Sequence, residues 1–410
     1  MAGKRNLREL LIRAPKDLLQ RYLAGKGIGE NLRWSALGEK NAEPILRALQ
    51  EAAETLRREI ERDLQEIDDL ANEDGARVLD EEARDRHHGP AVSEPVQAIK
   101  DEEEKAFYAF LDASAIFEAA SLFLDADQRT RWQPCQGLRE ATPGTDPATK
   151  DNLEKALANF YRDRGMMGRC TVRHLARGGK LYWFAYSAGQ VEAQMEYDDE
   201  DQLARPTRRP ALELIFEFDP VLGQLRTSAP GDSRTVRDLE WVFGTTVLGV
   251  NLRGATRPDV RYSLDGLLSP SFAFPTDAAD SVEAVRIRML RLGLAGAKTN
   301  KRITLEVNTS EEPEAIHQLV EQVQASPKIP WQLVQVTAAE LQIVFRDSAD
   351  GIKAGTLVVH VGYPKSCSLK TGRKDDIAAR LLKRWGIDVS GSVEGHSEQP
   401  GVRIDPTLRL

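Results

Sequence analysis

The stretch GTLVVHVGYPKSCSLKTGRKDDIAARLLKRWGID, residues 355–388, passes from an apolar strand through a polar, basic connection into an amphipathic helix. Apolar residues dominate 357–361, whereas Ile377, Leu381 and Trp385 recur at the spacing of one helical face. The order strand, loop and helix predicts that the chain ends in a unit that mixes a sheet with helices.

The basic connection before this helix is a candidate anion site. The first backbone N–H groups of a helix lack partners within it and carry partial positive charge, so phosphate binds well there. Asp375 and Asp376 offer the alternative, in which the helix is capped by its own carboxylates. The predicted nucleic-acid or anion-binding residues are Lys365, Lys370, Arg373, Lys374, Lys383 and Arg384, together with Arg286 and Arg288 from an earlier strand.

Upstream, the pattern predicts a C-terminal α+β domain over 281–390 with the order β-β-α-β-β-β-α. Apolar positions change parity between Met289 and Leu290, which indicates a β-bulge. Glu306 on the next strand is placed to pair with an arginine across the sheet. A helix is predicted over 311–325, then separate strands near 331–336 and 340–346, and residues 391–410 are expected to form a flexible tail.

Residues 1–135 show helical periodicity and predict an all-α domain with one long helix at about 42–72. That helix has an imperfect heptad of apolar residues, which fits either packing within the chain or a helical homo-oligomer. Residues 81–100 are charged and contain Pro90 and Pro95, so we expect a mobile connector there. Residues 136–150 hold two prolines and two glycines and are predicted to be a linker.

Residues 151–248 predict a second module. After a helix at about 151–162, the apolar period changes from 3.6 to 2, and Gly178 and Gly179 suit a hairpin turn. We expect a three-stranded meander up to Tyr197, two further strands and a helix, followed by an irregular connector at 249–280. The predicted fold class is therefore multidomain α+β, with an all-α N-terminal region followed by two antiparallel-sheet α+β modules.

Composition indicates an ordinary globular chain. Of 410 residues, 41% are hydrophobic and 29% are charged. No apolar run approaches the roughly 20 residues that a bilayer crossing needs, so we expect a cytoplasmic protein without membrane association. Three scattered cysteines are too few for a disulfide framework. Arginine outnumbers lysine 39 to 17, a bias that favours a bacterial origin.

The formal net charge of -8 argues against a protein that binds nucleic acid over its whole surface. A local basic cluster is compatible with it. Such a cluster would contact phosphates and would not read base sequence.

Two arrangements of residues raise the alternative of an enzyme. Glu213, Glu217 and Asp219 project from one face of a predicted strand and could hold magnesium in a nuclease, although no second metal-binding strand accompanies them. Cys367 lies near a helix start with His360 on the preceding strand, as a nucleophile and base would. A solvated sheet face and an ordinary structural cysteine explain the same residues.

The sequence thus predicts a non-catalytic bacterial accessory protein without a cofactor or a metal. It would bind DNA, RNA or another polyanion through the C-terminal strand-loop-helix and partner proteins through the helical domain. Phage defence is one setting for such a subunit. The alternatives are a metal-dependent nuclease or other hydrolase, and a purely structural protein-protein interaction subunit.

Overall fold

The chain forms two compact units, Met1–Arg257 and Pro258–Leu410, in the computed structural model. The residues described are 5–29, 32, 34, 41–84, 88–197, 202–252, 261–294, 302–309, 312, 315–326, 329–348 and 351–390. The predicted α+β class is confirmed, since a helical region is followed by two antiparallel five-stranded sheets in the part of the chain described. The predicted tail at 391–410 lies outside the described residues.

The helices of the first unit are α1 (Leu7–Arg13), α2 (Lys16–Gly25), α3 (Glu43–Gln50), α4 (Glu54–Leu70), α5 (Glu73–Ala83), α6 (Pro90–Ala98), α7 (Glu102–Asp112), α8 (Ser114–Gln128), α9 (Pro147–Arg162) and α10 (Ser233–Phe243). Its strands are β1 (Gln133–Cys135), β2 (Cys170–Arg177), β3 (Lys180–Ala188), β4 (Glu192–Ala193), β5 (Glu196–Tyr197), β6 (Leu203–Ala204), β7 (Thr207–Arg208), β8 (Ala211–Asp219) and β9 (Gln224–Ser228). The second unit contains β10 (Val282–Leu294), β11 (Arg302–Glu306), α11 (Ala315–Gln324), β12 (Val334–Phe345), β13 (Gly355–Gly362), β14 (Ser366–Cys367) and α12 (Arg373–Arg384).

The first unit has three layers, with the sheet β1-β9-β8-β3-β2 in the middle. On one face the helical layer contacts the sheet, where the Phe123 ring lies 5.3 Å from Tyr182 and 5.9 Å from Phe184. On the other face Phe243 of α10 packs against Trp183 and Phe216. The contact pattern divides the chain once, at 257, so the predicted domain edge at 136–150 lies inside this unit.

The single long helix predicted at 42–72 is wrong, because the chain turns between α3 and α4. Neither glycine nor proline marks the break. The turn lets Leu49 of α3 and Ile60 and Ile67 of α4 reach the same core, and all three are buried. The apolar stripe of α4 is thus covered within its own unit, as expected of intramolecular packing, and a homo-oligomer through that stripe would have to open this core.

Both segments predicted as connectors in this unit contain helical or buried residues in the part of the chain that the structure describes. Residues 81–100 contain the end of α5 and the whole of α6, in which Pro90 occupies the first turn, where a proline costs no hydrogen bond. Val96 of that helix is fully buried. In the predicted linker at 136–150, Leu138 is buried and its backbone N–H donates to the Gly223 carbonyl over 2.9 Å.

The prediction that residues up to Tyr197 form the third strand of a meander is also wrong. The second neighbour of β3 is β8, whereas β4 pairs with β7 and β5 with β6 in short two-stranded ladders. A central strand between two packed layers needs apolar residues on both faces. Ile215 and Phe216 of β8 meet that need, whereas Val191 and Met195 are half exposed.

The second unit is a sheet of order β11-β10-β12-β13-β14 with α11 and α12 sharing one core with it. The predicted bulge is confirmed by a register shift between Ile287 and Met289 against β12. The two strands predicted at 331–336 and 340–346 are one continuous strand, β12, paired with β10 along its length. The order β-β-α-β-β-β-α nevertheless holds, because the short β14 supplies the third strand after α11.

Part of the predicted connector at 249–280 belongs to this core. Tyr262, Leu264 and Leu267 are buried there, and the Trp385 indole N–H donates to the Pro275 carbonyl over 3.0 Å. Their irregular spacing hides this role in the sequence. Among the described residues no helix combines the length and apolar character that crossing a bilayer demands.

Candidate polyanion-binding site

The loop between β13 and α12 is built from hydrogen bonds to neighbouring backbone. The turn after β13 contains the cis Tyr363–Pro364 peptide, and the Pro364 carbonyl accepts from the backbone N–H groups of Arg261 (2.9 Å) and Tyr262 (3.0 Å). The Ser368 hydroxyl then accepts from the His360 N–H over 2.8 Å. These contacts fix the path of the chain into α12.

Three of the predicted cations gather at the first turn of α12. Lys370 and Arg373 are exposed, and Lys374 is partly buried with its ammonium 5.7 Å from the Phe345 ring. A side chain at Gly351 would lie 2.8 Å from the Arg373 guanidinium, which places this arginine beside the β12–β13 loop. Within the described part of the chain, none of the three cations pairs with a carboxylate.

The aspartates of that turn bear on the alternative in which the helix caps itself. Asp375 accepts from the backbone N–H of Lys370 over 2.9 Å, so its carboxylate holds the loop. Gly372 at the N-cap provides no side-chain cap. Asp375 therefore lowers the positive field of the turn without pairing with the side chains of Lys370, Arg373 or Lys374.

Lys365 and Lys383 lie away from this group. Lys365 follows the end of β13, whereas Lys374 lies near Gly355 at its start, a separation of about 23 Å at ~3.3 Å per strand residue. Lys383 is nine residues beyond Lys374 on α12, or about 14 Å along the axis. Lys365 and Lys383 are thus close to the other cations in sequence but do not lie beside them in the structure.

Arg384 is held by carboxylates from before β10. Its guanidinium contacts Asp280 at 2.6 Å and Asp277 at 2.8 Å. Burial acts to raise the pKa of Asp280, but the Asp277 backbone N–H and Arg384 outweigh it, so the pKa is lowered. This arginine ties α12 to the turn before β10 and is not available to phosphate.

Arg286 and Arg288 lie on the face of the sheet opposite to α12. Ile287 between them is buried in the core shared with the helices, so strand alternation directs its neighbours the other way. Arg288 contacts Glu306 (3.5 Å) and Glu340 (4.0 Å), and Glu340 lies 3.6 Å from His360. The predicted cross-strand pair of Glu306 is confirmed, and Arg288, unlike the three cations at the start of α12, has carboxylates beside it.

No protein-family model matches this chain, and no curated protein is significantly similar to it. Any function must therefore be inferred from the chemistry of its own side chains.

The acidic strand weighed as a nuclease site has structural partners. Glu217 is buried and accepts from Lys180 (2.9 Å) and Arg226 (3.1 Å), while Glu213 pairs with Arg129. The Asp219 carboxylate accepts from two backbone N–H groups of the β8–β9 turn. Among the described residues no group of three or more potential ligands is placed to hold a metal ion.

Cys367 and His360 do not form a nucleophile and base. Cys367 pairs in register with Val361, which points into the core, whereas His360 points to the opposite face. Burial raises the pKa of the Cys367 thiol, contrary to the lowering expected from a basic helix start. A thiol with a raised pKa is a poor nucleophile at neutral pH.

A groove beside α8 was not predicted from the sequence. Its volume is about 880 Å³, and it lies between α4, α7 and α8 on one side and the sheet on the other. The signal was present in α8, where one stripe at helical spacing is wholly polar: Ser114, Glu118, Ser121, Asp125 and Gln128.

Proposed function

We propose that the protein is a non-catalytic accessory subunit that binds DNA, RNA or another polyanion with the first turn of α12 and partner proteins with its helical region. The observation that carries the first half is the lack of any described carboxylate partner for Lys370, Arg373 and Lys374. Arg288 and Arg384, by contrast, are held by carboxylates. A setting in defence against invading DNA would suit such a subunit.

The mode of binding follows from the kind of groups present. Ammonium and guanidinium groups at a helix start contact phosphate oxygens, which position a nucleic acid without reading its bases. Each phosphate neutralised on a duplex contributes about -0.9 to the slope of log K against log salt concentration. Three contacts correspond to a slope of about -2.7, so binding should weaken markedly between low and physiological salt.

The first prediction is that reversing these three charges abolishes binding. We expect the triple variant K370E/R373E/K374E to bind a fluorescein-labelled duplex or single-stranded RNA at least ~10-fold more weakly than the wild type at low salt. Polarisation titrations at several salt concentrations give the affinity and the slope. The variant K365E/K383E should lose less, because these lysines lie away from the turn.

The matched control is K155E/R234E/R237E, which changes the net charge by the same amount on exposed positions of α9 and α10. It should bind like the wild type, and equal loss in both triple variants would mean that only overall charge matters. Unchanged binding by K370E/R373E/K374E would contradict the proposed site. A gel of the same mixtures with Mg²⁺ tests the nuclease alternative, for which cleavage is the diagnostic outcome.

A further inference from the structure

The groove beside α8 is formed where three side chains of the sheet extend past the helix that covers it. Arg173 of β2, Tyr186 of β3 and Glu213 of β8 share the face that packs on the helical layer. Facing them are the polar stripe of α8 and the end of α4 with Glu66. The volume of about 880 Å³ falls within the roughly 300–1,000 Å³ of ligand pockets.

The floor of the groove is apolar and its walls are acidic. Phe110, Phe117, Leu122 and Tyr186 line the floor. Among the described residues that line the walls, Arg173 is the one cationic side chain, against five carboxylates, those of Glu66, Asp69, Glu118, Asp125 and Glu213. An occupant that satisfies both parts must present apolar side chains beside positive charges.

Four of the carboxylates contact arginines, and these contacts are exchangeable. The Glu66 carboxylate lies 3.9 Å from Arg62. Glu118 lies 2.9 Å from Arg173, and Arg129 bridges Asp125 and Glu213. The carboxylate side chains of these pairs are about half exposed. Exposed ion pairs contribute only ~0–1 kcal/mol, so an incoming cation can compete for the carboxylates at little cost.

We propose that this groove docks a basic amphipathic segment of a partner protein. The apolar side chains of the segment would lie on the aromatic floor, and its lysines or arginines would meet the carboxylates of the walls. Charge complementarity selects this occupant, since the same walls repel phosphate and acidic peptides. The inference rests on the protein-binding half of the proposed function and is independent of the cations on α12.

The test uses the full chain and three fluorescein-labelled 18-residue peptides. One contains only lysine and leucine, with leucine at helical spacing; the second replaces lysine by glutamate; the third shuffles the first. We expect the first peptide to bind and the other two to bind at least ~10-fold more weakly. In the variant E66K/E118K the affinity for the first peptide should fall at least ~10-fold.

The control variant D151K/D163K changes the net charge equally at exposed positions on and just after α9, away from the groove, and should bind like the wild type. Equal binding by E66K/E118K and the wild type would overturn the groove assignment, as would equal loss in the control. If the wild type bound none of the peptides, the groove would be overturned as the docking site, whereas protein binding by other faces of the helical region would stand. K370E/R373E/K374E should keep its peptide affinity, which separates this test from that of nucleic-acid binding.

Discussion

At the residue level, whether an arginine can bind a ligand depends on carboxylates that lie far away in the chain. Arg384 and Arg373 lie on the same helix, yet Asp280, 104 residues before Arg384, holds only that arginine. Arg288 is similarly held by Glu306 and Glu340 on neighbouring strands. A run of basic residues therefore overstates the charge available to a ligand, and the paired members contribute to the fold instead.

A second prediction concerns this pairing. We expect Asp280→Asn to lower the free energy of unfolding by about 1–2 kcal/mol at pH 7, because the part-buried hydrogen bond from Arg384 loses its charge assistance. The pKa of Asp280 is lowered in the folded protein, so its stabilisation is present above the unfolded value near 3.8 and is lost as pH falls. Urea unfolding of both proteins between pH 7 and pH 3 measures the difference.

The difference between wild type and variant should shrink as the pH falls below about 3.8, because protonation of the wild-type carboxyl removes its charge. A constant difference across the range would mean that packing, and not charge, explains the effect. Asp277→Asn is a suitable control, since its side chain is 70% exposed and should contribute far less.

At the level of elements, periodicity predicted what a local pattern can encode. The strand and helix of 355–388 follow their apolar residues, since Val359, Val361, Ile377 and Leu381 are all buried. The bulge in β10 was likewise visible as a change of parity. The break between α3 and α4 and the replacement of the third meander strand by β8 depend on packing against distant segments, which no local pattern contains.

The candidate site was predictable to a similar extent. The residues at the start of α12 could be named from the sequence, because helix, loop and charge are adjacent there. The separation of Arg286 and Arg288 from α12 could not, since it depends on which face of the sheet the helices cover. The groove beside α8 needed the three-dimensional arrangement of α4, α8 and the sheet.

The turn between β8 and β9 gives a prediction on element geometry. Gly223 has a φ of 59°, and a Cβ there would lie 2.3 Å from the Arg139 backbone nitrogen. Gly223→Ala should cost roughly 1–2 kcal/mol for the left-handed backbone and about 1–3 kcal/mol more for the collision. Chemical denaturation provides the free energies.

Gly178 is the matched control, because it has the same φ of 59° and a Cβ there would meet no atom within 4 Å. Gly178→Ala should therefore show the backbone cost alone, and the loss of glycine entropy in the unfolded chain is common to both variants. Equal destabilisation of the two variants would show that the chain near Arg139 yields freely, and that Leu138 does not anchor this turn.

At the level of the whole molecule, the buried apolar clusters indicate which segments of the chain can fold independently. One unit contains two clusters, which share the sheet β1-β9-β8-β3-β2 between them, and the other contains a single cluster that begins at Tyr262. The helical cluster includes Tyr182, Phe184 and Ile215 of the sheet. The helical region thus depends on strands that come later in the chain.

The corresponding prediction is that fragments 1–257 and 258–410 each unfold cooperatively, whereas fragment 1–135 does not. Without the sheet, Phe123 and the neighbouring apolar face of α8 would be exposed to water, at ~25 cal/mol per Å² of apolar surface. Urea titrations followed by circular dichroism, with near-ultraviolet signals for fixed packing, distinguish the three fragments. A sharp transition in 1–135 with a midpoint equal to that of 1–257 would show that the helical layer is a domain in its own right, because the sheet would then add nothing to its stability.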